Sequence, residues 1–320
     1  MKTFGELLSR VQGSGGVVVG DVMVDEYIHG KGTRVSQEAP VLVVRQSAVS
    51  RVLGGAANVA FNLRALGVRD RLIGVVGDDE PGNWLRGAVA AEFESGQIVV
   101  DPGRPTTRKT RVYADKAHQV LRIDHETTEP LNVAGEDAVF SRAEAYLSDV
   151  AFLLLSDYQK GVLTASLVRR LIDVARERGI PVIANAKPKT LAFYRGADLV
   201  SLNQPEACGA LGIEELAFED APAAAGEIEA RFGIHHVLIT MGAKGMASRE
   251  ASVPAIPVNV FDTAGAGDTV IATVAAAYPL FGLSEAVLRL AAHTSASVVQ
   301  QVGVAVPDET SLNHISSLRI

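Results

Sequence analysis

Gly265, Ala266, Gly267 and Asp268 stand together in FDTAGAGDTV (261–270), directly ahead of a long apolar run. Small residues let backbone N–H groups approach a ligand oxygen. A helix starting there adds unpaired N–H groups and a positive dipole end. An anion, or charge developing in a transition state, is stabilised at such a place. Asp268 would then sit where it can take a proton from a hydroxyl held beside the anion hole. Read in isolation, the same four residues also fit an ordinary helix start with a favourable acid in its first turn.

Two other stretches carry chemistry-bearing residues. GDVMVD (20–25) contributes Asp21 and Asp25, and SDYQKG (156–161) contributes Asp157 and Lys160. GGAANVAFN (54–62) is a Gly-Gly turn opening a helix with Asn58 in its first turn, able to offer backbone and amide to a polar ligand. No GxxxxGK[ST] loop occurs, which excludes a Walker-type nucleotide site. GVVVGD lacks the three-glycine spacing of a dinucleotide site.

These groups must be held by a scaffold, and the hydrophobic pattern describes one. Residues 15–24 read as a buried strand, 55–67 as a helix closed by Gly67, 71–77 as a strand and 81–96 as a helix. Strands at 150–156, 180–185, 197–202 and 236–241 alternate with helices such as 164–179. Strands apolar on both faces, alternating with helices, predict an α/β fold: a mainly parallel sheet covered on both sides. GDVMVD, SDYQKG and GAGD are expected at strand ends, where open parallel sheets bind ligands. Segments 26–49 and 106–126 break the rhythm with apolar–polar alternation. They are expected to form a small antiparallel sheet that acts as a lid over the cleft; a pair of unrelated surface hairpins is the alternative.

Composition bounds the rest. The 320 residues fit one α/β domain, 48% are hydrophobic, and no apolar run approaches the ~20 residues of a membrane helix. The start has no signal-peptide layout, and the single cysteine, Cys208, permits no internal disulfide, so a cytoplasmic setting and no membrane partner are expected. A net charge of −7 argues against nucleic acid. The seven histidines are scattered and predict no metal cage.

Taken together, GGAANVAFNLRALGVRDRLIGVVGDD and DTAGAGD resemble the N-terminal and C-terminal signatures of the ribokinase-like (PfkB) carbohydrate kinases. Two such signatures, in order and roughly 200 residues apart, are far more specific than either alone. TRVSQEAPVLVV, QVLRID and SDYQKG are similar to stretches of the heptose 7-phosphate kinases in particular. The sequence lacks the HxGH motif of relatives that add a nucleotidyltransferase domain, which implies a kinase-only form.

The resemblance implies transfer of the γ-phosphoryl group of ATP to a sugar hydroxyl, with Asp268 as base and Gly265, Ala266 and Gly267 as anion hole. It implies that Asp25, Asn58 and the Gly54–Gly55 turn hold sugar hydroxyls, with Asp157 beside them. Asn185, Asn203 and Glu206 would lie near the phosphates, Glu206 reaching Mg²⁺ through water. Thr240, Gly242 and Gly245 would line the ATP side, and Asp262 a monovalent-cation site for K⁺. Where heptose kinases read Asp-Pro-Lys, this chain reads NAKP (185–188). A sugar that already carries a phosphate requires a basic clamp away from ATP. The lid offers Lys31, Arg34, Arg45, Lys109, Arg111 and Arg122, of which Arg34 and Arg122 are the expected pair. A homodimer is expected. A kinase for another sugar or a nucleoside, and a non-catalytic sugar-phosphate sensor on the same fold, are the competing functions; low aromatic content, 5%, disfavours a nucleobase.

Overall fold

The structure is a computed structural model that describes residues 2–115, 118–301 and 303–320. The chain begins with α1 (Phe4–Val11) and enters the main sheet as β1 (Gly15–Gly20). A long hairpin, β2 (Val22–Val35) and β3 (Leu42–Gly55), leaves the sheet and returns into α2 (Ala56–Ala65), β4 (Arg69–Val76), α3 (Glu80–Glu92) and β5 (Gln97–Val100). A second pair, β6 (Arg108–Ala114) and β7 (His118–His125), precedes α4 (Val133–Tyr146), β8 (Phe152–Ser156), α5 (Ala165–Glu177), β9 (Val182–Asn185) and β10 (Leu199–Asn203). Then follow α6 (Gln204–Leu211), α7 (Ala221–Phe232), β11 (His236–Thr240), β12 (Met246–Ala247), β13 (Ser252–Val253), α8 (Ala266–Phe281), α9 (Glu285–Val298) and α10 (Glu309–Ser317).

Among the described residues, nine strands form the main sheet in the order β13-β12-β11-β10-β9-β8-β1-β4-β5. From β5 to β11 every pairing is parallel; β12 and β13 add an antiparallel edge. Alternate residues of one strand serve opposite cores. Val18, Leu154 and Ile183 pack with α1, α2, α8 and α9. Val17, Val19, Leu153 and Leu155 pack with α4, α5 and α7. Burial on both faces explains the continuous apolar strands.

The expected strand 15–24 is two strands. β1 ends at Gly20, where a Cβ would come within 2.1 Å of the Ser156 carbonyl oxygen, and after Asp21 the chain turns out of the main sheet into β2. The expected helix 81–96 stops at Glu92 because Phe93 is extended and buried in the core.

The two irregular segments meet as expected, in one four-stranded sheet of order β3-β2-β6-β7. β2 pairs with β3, and β6 with β7, antiparallel, but the central pair β2–β6 is parallel. The reason is topological: β2 and β6 each follow the carboxyl end of a main-sheet strand, β1 and β5, and so run outward together. No helix among the described residues is long and apolar enough to cross a membrane.

Candidate active site

The order of the main sheet reverses at β1, which lies between β4 and β8. A crevice opens at such a reversal, and the ends of β1 and β8 build it. Asp21 is 1% exposed and its carboxylate accepts the backbone N–H groups of Tyr158 (2.8 Å), Lys160 (3.0 Å) and Val162 (3.3 Å). One side chain thereby pins the whole loop after β8, in which Gln159 takes the left-handed conformation, φ 57°. Asp157 does not reach the cleft as the sequence reading expects. It is buried under the loop, where it accepts from Thr190 Oγ1 (2.6 Å), Tyr194 Oη (3.0 Å) and the Gln159 N–H (2.7 Å). Asn185 is likewise occupied, its Oδ1 accepting the Asp157 N–H at 2.7 Å. A buried carboxylate has to satisfy its lone pairs, and one donor of the loop with two from the segment after β9 do so.

Burial, and then the charge of Asp157, push the Asp21 carboxyl up to about 6 from its ordinary 3.8. A folded-state value above the unfolded one means that the stability it contributes is complete below the unfolded value and is lost as pH rises through about 6. Asp21→Asn removes this titration, so the stability of the wild type relative to the variant is expected to fall as pH rises from 4 to 7, by an amount on the order of 3 kcal/mol on top of whatever the loss of an acceptor oxygen costs at every pH. Thermal unfolding of both proteins across that range checks the sign; a difference independent of pH contradicts it.

Asp268 lies in the first turn of α8, half-buried. Its Oδ2 accepts from Asn58 Nδ2 at 2.6 Å and its Oδ1 from Tyr158 Oη at 2.5 Å. Burial pushes its carboxyl up and the charge of Asp25 adds to this, while the Tyr158 and Asn58 hydrogen bonds and Lys187 pull it down; the net direction is up. Tyr158 is held well above the ordinary phenol range by burial and by Asp268, so it stays a donor. Two donors orient the carboxylate and leave each oxygen a further lone pair. Gly265 caps α8 in the left-handed conformation, φ 83°, and a Cβ on it would stand 3.0 Å from Asn58 Nδ2. Gly267 N–H has no acceptor among the described residues, and Ala266 N–H has only a long bond to Thr263 O, 3.3 Å. These are the free donors an anion hole requires.

Gly54 and Gly55 end β3 beside the acids. A Cβ on Gly54 would stand 2.1 Å from Asp25 Oδ2; on Gly55, which has φ 64°, it would stand 2.3 Å from the backbone oxygen of Asp21. Asp25 is 5% exposed and paired with the Arg111 guanidinium, which also lies over the Tyr27 ring. Arg34 and Arg122 are not brought to this centre. Arg34 is exposed near the hairpin tip, and Arg122, on the edge strand, is exposed and bonded to Asp124 at 3.0 Å. Arg122 shares the face of Arg111, its cross-strand partner, but sits one strand further out, on the edge, so it is Arg111 on the inner strand β6 that reaches Asp25.

On the other side of α8 lies a cavity of about 830 Å³. Ile256, Pro257, Val258, Ala292, Ala296 and Val299 form apolar walls, and Asn203, Thr240, Gly242, Gly245, Ala266 and Gly267 line it too. Its size and its few convergent polar groups fit a nucleotide. Asn203 and Glu206 form a reciprocal cap on α6: Asn203 Oδ1 accepts the Glu206 N–H and Glu206 Oε2 accepts the Asn203 N–H, both at 2.8 Å. The NxxE spacing thus has a local cause, a capping box. Glu206 Oε1 also accepts from Lys187 Nζ, 5.8 Å from the Tyr158 ring centroid. Lys187 so links the nucleotide side to the Asp268 cluster. Asp262 accepts the N–H groups of Ala264 (2.9 Å) and Gly303 (3.1 Å), one on each oxygen. No group of three His, Cys, Asp or Glu among the described residues is placed to hold a metal ion.

The structure adds Tyr158 to the centre and gives definite partners to Asp21 and Arg111, which the sequence reading named without placing them. Tyr158 stands inside SDYQKG between two residues singled out for their charge; a phenol in a loop carries no periodic signal that would have marked it.

Residues 16–311 match the profile of the pfkB family carbohydrate kinases. The chain is 41% identical over 310 residues to the bifunctional protein HldE of Caulobacter vibrioides, covering 94% of this chain and 63% of that protein. It is 39% identical over 313 residues to the bifunctional protein HldE of Azorhizobium caulinodans, covering 96% and 65%. The chain thus spans just under two-thirds of the length of these relatives. Among solved structures, Arabidopsis thaliana ribokinase complexed with ribose and ATP superposes with a TM-score of 0.74 at 21% identity, over 96% of this chain and 100% of that one. Phosphofructokinase-2 of Escherichia coli in complex with potassium superposes with a TM-score of 0.76 at 19% identity, over 96% and 99%. At these identities the structures share the fold.

Proposed function

This chain belongs to the pfkB family of carbohydrate kinases, and we propose that it phosphorylates a heptose 7-phosphate at its 1-hydroxyl with ATP as donor. One observation carries the mechanism: Asp268 is held by Asn58 and Tyr158 at the N-terminus of α8, between the Asp25 side of the cleft and the nucleotide-sized cavity. The acceptor hydroxyl gives its proton to Asp268 as its oxygen attacks the γ-phosphorus. The bond from that phosphorus to the bridging oxygen breaks, and ADP leaves. N–H groups at Gly265, Ala266 and Gly267 stabilise the equatorial oxygens. Position and charge supply most of the rate in such transfers.

Asp25, aligned by Arg111 and admitted by Gly54, orients the sugar hydroxyls. Glu206 would reach Mg²⁺ through water, and the ion, when bound, would neutralise phosphate charge. Asp262 would hold a monovalent cation with its remaining lone pairs. The heptose assignment is supported by the likeness of residues 33–44, which build the tip of the β2–β3 hairpin, and by the intact base. A sensor has no use for an aligned base, which disfavours the non-catalytic reading. The protein is proposed to act in the cytoplasm and as a homodimer. One face of the lid carries an apolar row, Val49–Ile28–Val112–Leu121, in register across all four strands. Val49 and Leu121 are 47% and 52% exposed in the single chain, which suits a self-complementary contact.

ADP release measured against a panel of sugars, sugar phosphates and nucleosides tests the assignment. Heptose 7-phosphate is expected to give the highest kcat/KM; a higher value for a nucleoside or an unphosphorylated sugar overturns it.

A further inference from the structure

The lid face that carries Asp25 has four cations and three acids within reach of one another. Arg111 pairs with Asp25, Arg122 with Asp124 and Lys160 with Glu126. Lys109 is left over: its ammonium has no hydrogen-bond or ion-pair partner among the described residues. It is not free in solvent. It occupies the register position between Asp25 on β2 and Asp124 on β7, half-buried, and so shares their face. Both flanking acids are already held by arginines. Burial and the neighbouring Lys160 ammonium lower its pKa, the signature of two cations crowded without enough counter-charge. Beside them, Arg104 donates to the Lys160 carbonyl, while its Nη1 and Glu126 Oε2 are buried without partners. A half-buried unpaired ammonium is unfavourable unless an anion joins it.

We propose that Lys109 and Lys160, backed by Arg104, bind the phosphate that the acceptor sugar already carries. This rests on the sugar-phosphate reading above and moves the clamp from Arg34 and Arg122 to the inner rows of the lid. The position is chemically apt. Neighbouring strands lie about 4.8 Å apart, so Lys109 stands one strand from Asp25, the group that orients the sugar hydroxyls. Lys160 belongs to the loop that Asp21 pins and that also carries Tyr158 to the base. A sugar lying between these points would present its hydroxyl to Asp268 and its phosphomonoester to the two ammonium groups. The phosphate would complete the ion pairing of this face, and Glu126, at the end of β7, would tie the lid to Lys160 around it.

The test compares phosphorylated and unphosphorylated heptose as acceptors for the full chain. The wild type is expected to favour the phosphorylated sugar in kcat/KM, and Lys109→Met to reduce that preference roughly 10–100-fold through acceptor KM, the size expected for a charge-assisted contact. Lys109→Arg should restore most of it. A second variant, Lys160→Met with Glu126→Gln, removes the other ammonium together with its partner and should act in the same direction. Inorganic phosphate should compete with the acceptor in the wild type and lose that competition in Lys109→Met. If the wild type favours the phosphorylated sugar and both variants keep the preference, the subsite is wrong while the substrate stands. If Lys109→Met raises the KM of ATP instead, the cluster serves the nucleotide and the proposal falls. If the wild type shows no preference, the sugar-phosphate reading itself fails.

Discussion

Asn in place of Asp268 is expected to lower kcat about 10²–10⁴-fold, the usual cost of losing a general base. Binding of ATP and acceptor should persist, because the amide preserves shape and the cavity walls are untouched. The hydrogen bonds to Asp268 extend the prediction to pH. A base has to be ionised to act, and burial lifts the Asp268 carboxyl above the ordinary range. The rate should therefore fall as pH drops through that raised value, not only near pH 4. Tyr158 Oη donates to the ionised form, so Tyr158→Phe should move the acid limb to higher pH as well as slow the enzyme. The pH profile of kcat in the three proteins checks both statements. A near wild-type rate in Asp268→Asn, or an acid limb that Tyr158→Phe leaves in place, would remove Asp268 from the role of base.

Two adjacent glycines are expected to answer the same substitution differently. An alanine Cβ at position 54 would stand 2.1 Å from Asp25 Oδ2, the end of a side chain that can swing away. Gly54→Ala should thus cost less stability than Gly55→Ala, chiefly that of loosening the Asp25–Arg111 pair, yet displace Asp25 from the sugar, raising acceptor KM at least tenfold, as loss of a charge-assisted contact does. At position 55 the Cβ would stand 2.3 Å from the Asp21 backbone oxygen, and the backbone is left-handed. Backbone cannot swing away, so Gly55→Ala should lower stability by about 1–3 kcal/mol or more. Unfolding midpoints and acceptor kinetics measured together decide the matter. Equal destabilisation of both variants would show that Gly54 serves only packing.

Much of the molecule is legible along the chain. Val17–Val19 and Leu153–Leu155 are apolar at every position because both sheet faces are covered, and that signal needs no tertiary knowledge. The break in periodicity at the two lid segments is equally local. So is the small-residue turn before Asp268, since a glycine at φ 83° and a following apolar helix leave their mark within ten residues. Charge is legible as type but not as partner. Asp25, Asp157 and Asp21 look alike in sequence, and only packing puts the first beside Gly54 and Arg111, makes the second a support beneath a loop and the third the pin that holds it. The lid cations differ in the same way. Side chains alternate along a strand, but which parity faces the cleft depends on how β2 and β6 pair, and that pairing is parallel because both strands leave the main sheet in one direction. Tyr158 reaches Asp268 across 110 positions of chain. No local pattern encodes such a contact; it exists because β1, β8 and α8 converge where the order of the sheet reverses.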